Sequence, residues 1–325
     1  MPRKPQPEPW ETELRQWARA VAVQSPERRE RTQVAEILRR IISDPGFPNG
    51  RNELNFDSFV RLTELPSLPA TVISLSMKDG RALQRLSELP LVLDKLDLSG
   101  CRVLSHLPPL PPLLKELVLK NCFALTHVPV LPASLTRLDL EACFTLTVVP
   151  ALPAGLTQLN LRRCNALTVL PPLPAGVTFL NLAGNGSLLH LPALPAVLMQ
   201  LNLSGCGNLL SLPPLPLVLT HLELSGCGLL TALPPLPLGL THLDLSGCGR
   251  LTALPPLPLG LTQLDLSYCA SLTELPPLPP RLYRLMLRDC RALTSLPAVP
   301  ESVQLLELTG CHALTSLSRV PDHLL

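Results

Sequence analysis

A 21-residue unit recurs along most of the chain and constrains its fold more than any other feature. The clearest copy spans residues 243–263 and reads LDLSGCGRLTALPPLPLGLTQ. Two degenerate copies, with Phe59 and Gly80 at the cysteine position, precede the regular ones. About thirteen copies at one fixed period predict a solenoid. The regular copies follow one another every 21 residues without an insertion, with their marked position at Cys101, Cys122, Cys143, Cys164, Asn185, Cys206, Cys227, Cys248, Cys269, Cys290 and Cys311.

Each unit predicts one short β-strand followed by an extended return. Leu243 and Leu245 alternate with polar residues, so both face the same side of a strand. Two prolines follow within a few residues, and proline disrupts a helix while favouring extended or polyproline II backbone. One unit cannot bury its own leucines, whereas stacked units bury them in a continuous core. The predicted fold is an α/β-type solenoid with a parallel sheet on its concave side and extended or polyproline chain on its convex side.

The residues before the repeats predict a cap of two helices. Apolar residues recur at helical spacing from Pro9 to about Val23. Ser25 predicts the N-cap of a second helix and Pro26 its first position. The Asp-Pro-Gly run at 44–46 predicts the end of that helix.

The predicted domains are a disordered segment at 1–8, a helical hairpin cap at 9–50, and a solenoid of about thirteen 21-residue repeats at 51–325. Arginines lie among the glutamates of the second helix. We interpret them as a solvated face, with a patch for anionic lipid or nucleic acid as the alternative. These arginines are Arg28, Arg29, Arg31, Arg39 and Arg40.

Composition excludes several classes of protein. Apolar residues make up 46% of the chain, but every apolar run is interrupted well short of the 18 or so residues that span a membrane. A net charge of +2 and an aromatic content of 3% do not indicate nucleic-acid binding. The N-terminal run MPRKPQPEPW contains no apolar core of a Sec signal peptide.

The ten cysteines all occupy the repeat position. That spacing favours a ladder of buried free thiols near backbone groups over disulfides or a metal site. Asn185 and Gly80 fill the same position without leaving any particular cysteine unpaired. Free thiols are typical of a reducing compartment. We find no nucleophile with a base, no phosphate-binding loop and no metal-ligand spacing. The sequence thus predicts no enzyme activity, no cofactor and no metal.

The pattern LxxLxLxxCxxLTxLPxLP resembles a leucine-rich repeat over residues 54–317, which is most of the chain. Its LPxLPxxL half is similar to the proline-rich repeats of bacterial effectors that type III secretion delivers into host cells, the YopM and IpaH-like groups. Those repeats usually have Asn in an NxL pattern, where this chain has CxxL, a form that is also similar to plant intracellular immune receptors. IpaH-like proteins add a ubiquitin-ligase domain with a catalytic Cys followed by Asp two residues later. No cysteine of this chain has Asp at that place.

Side chains between the buried leucines are predicted to face the concave surface. The position four residues before the cysteine forms an acidic and amide column, whose acidic members suit a positively charged partner or simply keep the solenoid soluble. His221 and His242 beside this column allow a zinc site in principle, but duplication of adjacent repeats explains them better. The predicted partner-binding residues are Phe179, Arg284, Met286, Glu223, Asp244 and Asp265.

The resemblance implies a protein-binding module that acts through its concave face, as a bacterial effector in host cells. It implies a monomer with a host protein as partner, secreted without a Sec signal peptide into the host cytoplasm. Two alternatives remain open. One is the recognition part of a ubiquitin-ligase effector whose catalytic domain is absent here, and the other is a non-secreted scaffold in the bacterial cytoplasm.

Overall fold

The computed structural model describes three stretches of the chain, residues 9–43, 52–317 and 319–324. The segment predicted to be disordered, 1–8, and the predicted helix end at 44–46 lie outside the described residues. The chain divides into two compact units, Met1–Thr145 and Leu146–Leu325.

The first unit begins with the two predicted helices, α1 (Pro9–Arg19) and α2 (Pro26–Ser43). The first helix is shorter than the predicted range to Val23, because the Ala20 amide donates to Trp17 O in a tighter turn that closes it. The N-cap prediction is confirmed, since Ser25 Oγ accepts a hydrogen bond from the Glu27 amide at 3.3 Å.

Arg31 corrects the interpretation of the α2 arginines as a solvated face. Its side chain is only 3% exposed and lies over the Trp17 ring, 4.9 Å from the ring centroid. The guanidinium donates to Glu27 Oε1 at 2.9 Å and to Trp17 O at 3.0 Å, and it pairs with Glu64 at 3.1 Å. Arg31 therefore joins both helices to the first repeats. The buried stripe of α2 continues through Val34, Leu38 and Ile41, at the spacing of one helix face.

Five repeat strands of the first unit pair in parallel, in chain order and in register. Each is three residues long, with the middle leucine buried and its neighbours facing outward, apart from the buried Asp139. They are β1 (Glu53–Asn55), β2 (Ser74–Ser76), β3 (Lys95–Asp97), β4 (Glu116–Val118) and β5 (Arg137–Asp139).

The described residues of the second unit form eight repeat strands, which also pair in parallel and in register in chain order. A second, two-stranded parallel sheet, which the repeat pattern does not predict, joins β13 (Ser295–Leu296) to β15 (Ser316–Leu317) on the returns of the last repeats. The repeat strands are β6 (Gln158–Asn160), β7 (Phe179–Asn181), β8 (Gln200–Asn202), β9 (His221–Glu223), β10 (His242–Asp244), β11 (Gln263–Asp265), β12 (Arg284–Met286) and β14 (Leu305–Glu307).

Leucines fill the core of each repeat as predicted, and Leu243 and Leu245 are almost completely buried. The described return segments are extended and contain no α-helix, with one short 3₁₀ turn at Asp322–Leu324. Each return ends in a tight turn after a proline, as where the Leu240 amide donates to Pro237 O at 3.1 Å. The predicted fold, a leucine-rich repeat solenoid with a parallel sheet, an extended return side and a two-helix cap, is confirmed.

The residue before the cysteine position has a positive φ in every repeat from Asp79 to Gly310. Half of these residues are glycine, as in the SGC runs. The left-handed region costs a residue with a Cβ about 1–2 kcal/mol. Tyr268 (φ 63°) and Ala142 (φ 59°) nevertheless occupy it, because the chain must leave the strand in the same direction in each repeat.

The cysteines form the predicted ladder of free thiols, of which nine are buried and Cys311 is partly exposed. The thiols donate to a leucine or methionine carbonyl 24 residues earlier, as Cys248 Sγ does to Leu224 O at 3.3 Å. Burial raises the pKa of Cys248 from 9.0 to about 12. Asn185 replaces the thiol in one repeat, where Nδ2 donates to two carbonyls, whereas Oδ1 is buried without a partner in the described residues.

Candidate functional site

The repeat strands of the second unit present two columns of side chains on the exposed face of the sheet. We call this surface the sheet face and its columns the first and second column. The in-register pairing of β6 to β12 and β14 stacks equivalent residues at about 4.8 Å from strand to strand. The first column is Gln158, Phe179, Gln200, His221, His242, Gln263, Arg284 and Leu305. The second column is Asn160, Asn181, Asn202, Glu223, Asp244, Asp265, Met286 and Glu307.

Residues of the second column have a structural role that the sequence analysis missed. Asp244 Oδ1 accepts a hydrogen bond from the Ser246 amide at 2.8 Å, and Asp265 Oδ1 accepts one from the Ser267 amide at 2.9 Å. Asn202 makes the same contact to Ser204. These Asx turns end their strands, which explains why Asp and Asn dominate the column. The signal was the spacing itself, since a short carboxylate or amide stands two residues before the Ser in several repeats.

Three carboxylates of the second column, those of Glu223, Asp244 and Asp265, stand on successive strands. Among the described residues, no Lys or Arg nitrogen lies within 4.0 Å of them. Asn202 Nδ2 donates to Glu223 Oε2. Like charges at this spacing repel by about 1 kcal/mol in water. The second unit therefore presents negative charge that its own side chains do not neutralise.

The equivalent face of the first unit differs in this respect. There Lys78 Nζ lies 3.5 Å from Asp97, and Lys95 Nζ lies 3.4 Å from Glu116. Lys120 Nζ also lies 3.2 Å from Asp139. These three acidic groups thus have basic neighbours within the chain, unlike Glu223, Asp244 and Asp265 of the second unit.

His221 and His242 stack in the first column, with ring centroids 4.3 Å apart and an interplanar angle of 11°. Both rings are half-buried. His242 Nδ1 lies 2.8 Å from Thr241 Oγ1, and His221 Nδ1 lies 2.9 Å from Thr220 Oγ1. Burial, and secondarily repulsion from His221, lowers the pKa of His242 below its usual 6.5. This shift favours the neutral form of the His242 ring.

A shallow cavity of about 210 Å³ opens on the sheet face beside this pair. Arg284 reaches into its lining but forms no ion pair with the described residues. No group of three or more His, Cys, Asp or Glu in the described part of the chain could hold a metal ion. The cavity is lined by Leu222, Glu223, His242, Leu243, Asp244, Gln263, Leu264, Asp265 and Arg284.

The six sequence-predicted contact residues all lie on the sheet face, but they do not form one cluster. Glu223, Asp244, Asp265, Arg284 and Met286 come together on β9 to β12. The sixth residue, Phe179, lies on β7, which is five strands and roughly 24 Å from β12 at the usual strand spacing.

Two exposed side chains next to the first column were missed. Met199 is 49% exposed and Tyr283 is 56% exposed, each immediately before the first column. Thr fills this position in most neighbouring repeats, as at Thr220 and Thr241, where its hydroxyl bonds the preceding repeat. The replacement of this Thr by Met199 and by Tyr283 was the sequence signal that could have identified both residues.

No described helix has both the length and the apolar character needed to cross a membrane.

No protein-family model and no curated protein matches the chain. Solved structures do match. YopM from Yersinia enterocolitica WA-314 is 30% identical, with a TM-score of 0.63, over 81% of this chain and 60% of that one. The chain thus spans about three fifths of the length of that relative. YopM from Yersinia pestis, described as a leucine-rich effector protein, is 26% identical, with a TM-score of 0.64, over 97% of this chain and 96% of that one. The chain is a leucine-rich repeat protein whose structure is similar to that of the YopM effectors.

Proposed function

We propose that this chain is a non-catalytic protein-binding module that engages a partner protein through the sheet face of its second unit. The observation that carries this proposal is the cluster on β9 to β12. Unpaired carboxylates, a stacked histidine pair and exposed Arg284 lie there on successive strands, with exposed Tyr283 immediately before β12. Arg and Tyr are enriched at the centres of interfaces.

The backbone that presents these groups supports the proposal. Strand pairing and the Asx turns already hold the backbone of these strands in place, so the surface is formed before a partner arrives. A preformed surface loses little conformational entropy on association. Affinity then depends on the side chains in the columns, which vary between repeats while the leucine core does not.

The proposed setting is a bacterial effector that acts as a monomer on a host protein, after secretion without a Sec signal peptide into the host cytoplasm. The similarity to YopM, an effector protein, supports this part of the proposal. A translocation reporter fused to the chain should enter host cells only when the type III secretion apparatus is functional. Entry without that apparatus, or no entry with it, would favour a scaffold inside the bacterium.

Affinity capture from eukaryotic lysate tests the binding surface. The bait is the full chain, and the test variant combines Phe179→Glu with Arg284→Glu. A matched control, Leu238→Glu, changes a leucine that is 85% exposed on the return side. A partner kept by the wild type and the control but lost by the test variant is expected. Equal capture by all three baits would refute binding through the sheet face.

A further inference from the structure

The hydrogen bonds of the two stacked histidines determine which ring nitrogen carries the proton. Thr220 Oγ1 lies 3.1 Å from Met199 O, and a carbonyl can only accept, so the hydroxyl proton is committed to that bond. The same oxygen lies 2.9 Å from His221 Nδ1 and must therefore accept from it. His221 is thus the Nδ1–H tautomer, and its Nε2 is left as an acceptor.

The next repeat has the same arrangement. Thr241 Oγ1 donates to Thr220 O at 3.1 Å and accepts from His242 Nδ1 at 2.8 Å. Because both rings are anchored through Nδ1 and stack almost parallel, their Nε2 lone pairs point the same way. Neither Nε2 has a hydrogen-bond partner among the described residues.

The groups around this pair are also acceptors. Glu223 and Asp244 stand beside the histidines on the same two strands, and Asp244 Oδ1 holds its Asx turn while Oδ2 makes no hydrogen bond within the described residues. Asp265 adds a third carboxylate one strand further, and Arg284 is the one Lys or Arg among the described residues that line the cavity. Gln200 and Gln263 flank the pair in the first column and carry no charge.

We propose that His221 and His242, together with Glu223 and Asp244, form a recognition site for an arginine side chain of the partner protein. This inference rests on the proposed function and specifies the chemistry of its partner. A guanidinium offers only donors, in a planar fork, and so complements two aligned lone pairs beside two carboxylates. A hydroxyl or amide would leave the negative charge unpaired.

Recognition of this kind depends on pH. Protonation of either imidazole turns an Nε2 acceptor into a donor and places a positive charge where the guanidinium must bind. Burial lowers the pKa of His242, so the site is competent above that pKa and loses affinity as pH falls through it. Bound guanidinium opposes protonation in turn, so binding at mildly acidic pH releases protons.

The chain supplies its own conservative replacements. Gln200 and Gln263 show that glutamine fits the first column, and its side-chain oxygen is an acceptor that does not titrate near neutral pH. Asn202 shows that asparagine keeps the Asx turn of the second column without the charge. The variants His221→Gln/His242→Gln and Asp244→Asn should therefore fold like the wild type, which circular dichroism checks.

The probe is a fluorescein-labelled hexapeptide of alternating glycine and arginine, titrated with the full-length protein in 50 mM salt. Matched peptides replace arginine by lysine or by the neutral isostere citrulline. The arginine peptide should bind at least about tenfold more tightly than the citrulline peptide at pH 7.5, and lose at least about tenfold in affinity at pH 5.0. In the double glutamine variant the pH effect should shrink to within about threefold, and Asp244→Asn should weaken binding at both pH values.

Nitrogen-15 NMR of the imidazoles gives a readout that needs no ligand, and the Nδ1–H tautomer is expected at both histidines. Equal binding of the citrulline peptide, an unchanged pH effect in the double variant, tighter binding of lysine, or an Nε2–H tautomer would each overturn the assignment. If the hexapeptide does not bind but a captured partner is still lost from the Phe179→Glu/Arg284→Glu bait, the proposed function stands and only the arginine site fails.

Discussion

Alkaline pH should unfold this protein through its thiol ladder, and Cys248 shows the size of the effect. Burial raises the pKa of this thiol from 9.0 to about 12. Between these values the unfolded chain releases the thiol proton while the folded chain retains it, so stability is full below pH 9 and falls as pH rises. The difference between pH 8 and pH 10 is about 1.4 kcal/mol for this one thiol.

The effect accumulates because the ladder repeats. Burial raises the pKa in the same way at seven other buried thiols. Eight such groups would together remove about 11 kcal/mol at pH 10, which is comparable with the total stability of a typical protein. The midpoint of alkaline unfolding is therefore expected near pH 10.

Two variants isolate a single thiol. Cys248→Ala removes a buried group and should destabilise the protein by about 1–2 kcal/mol at pH 8. That deficit should nearly vanish at pH 10, because the variant no longer has this proton to lose. Asn185→Cys adds a thiol at the same position of another repeat and removes the unpartnered Oδ1. It should make the loss between pH 8 and pH 10 about 1.4 kcal/mol larger than in the wild type.

The assay is urea denaturation followed by far-ultraviolet circular dichroism, at pH 8, 9 and 10, with a phosphine reductant present throughout. A deficit of Cys248→Ala that stays constant across this range would show that the thiol ionises equally in both states. Burial as the cause of the raised pKa would then be wrong.

Three further predictions concern the turns, the cap and the end of the ladder. Gly247→Ala should destabilise the protein by about 1–2 kcal/mol, whereas Tyr268→Gly, at an equivalent positive φ, should stabilise it by up to about 1 kcal/mol, both measured by urea denaturation. Arg31→Met leaves the carboxylate of Glu27 partly buried without its guanidinium and should destabilise the cap by about 3–5 kcal/mol, seen as an earlier transition in tryptophan fluorescence. Labelling with a maleimide at pH 7.5 and mass spectrometry should modify Cys311 first, and modification of buried thiols at the same rate would contradict the ladder.

Much of the fold follows from pattern. The 21-residue period places every repeat strand, because leucines that alternate along a short strand can only be buried by stacking. The capping role of Ser25 also follows locally, since an N-cap needs only a side-chain oxygen two or three residues before an amide.

Other features could not be predicted from the repeat pattern. Arg31 looks like its solvated neighbours in the helix, and only the approach of the first repeat and of α1 supplies the partners that bury it. The left-handed conformation of the residue before each cysteine cannot be predicted where Tyr, Ala or Arg replaces glycine. The path of the backbone requires the positive φ there, and the residue type does not indicate it.

The candidate site could likewise be predicted only in part from the sequence. The sequence alone determined which residues of each repeat face outward, since alternation along a strand is a local property. Only the tertiary structure decided which charges are neutralised and which histidine nitrogen is free, because these depend on side chains from neighbouring strands. The carboxylates of Asp97 and Asp244 occupy the same position in their repeats. Lys78 lies close to the first, whereas no Lys or Arg nitrogen of the described residues lies within 4.0 Å of the second. Contacts between side chains of neighbouring repeats decide which charges of the sheet face are neutralised. The spacing of residues within one repeat does not predict these contacts.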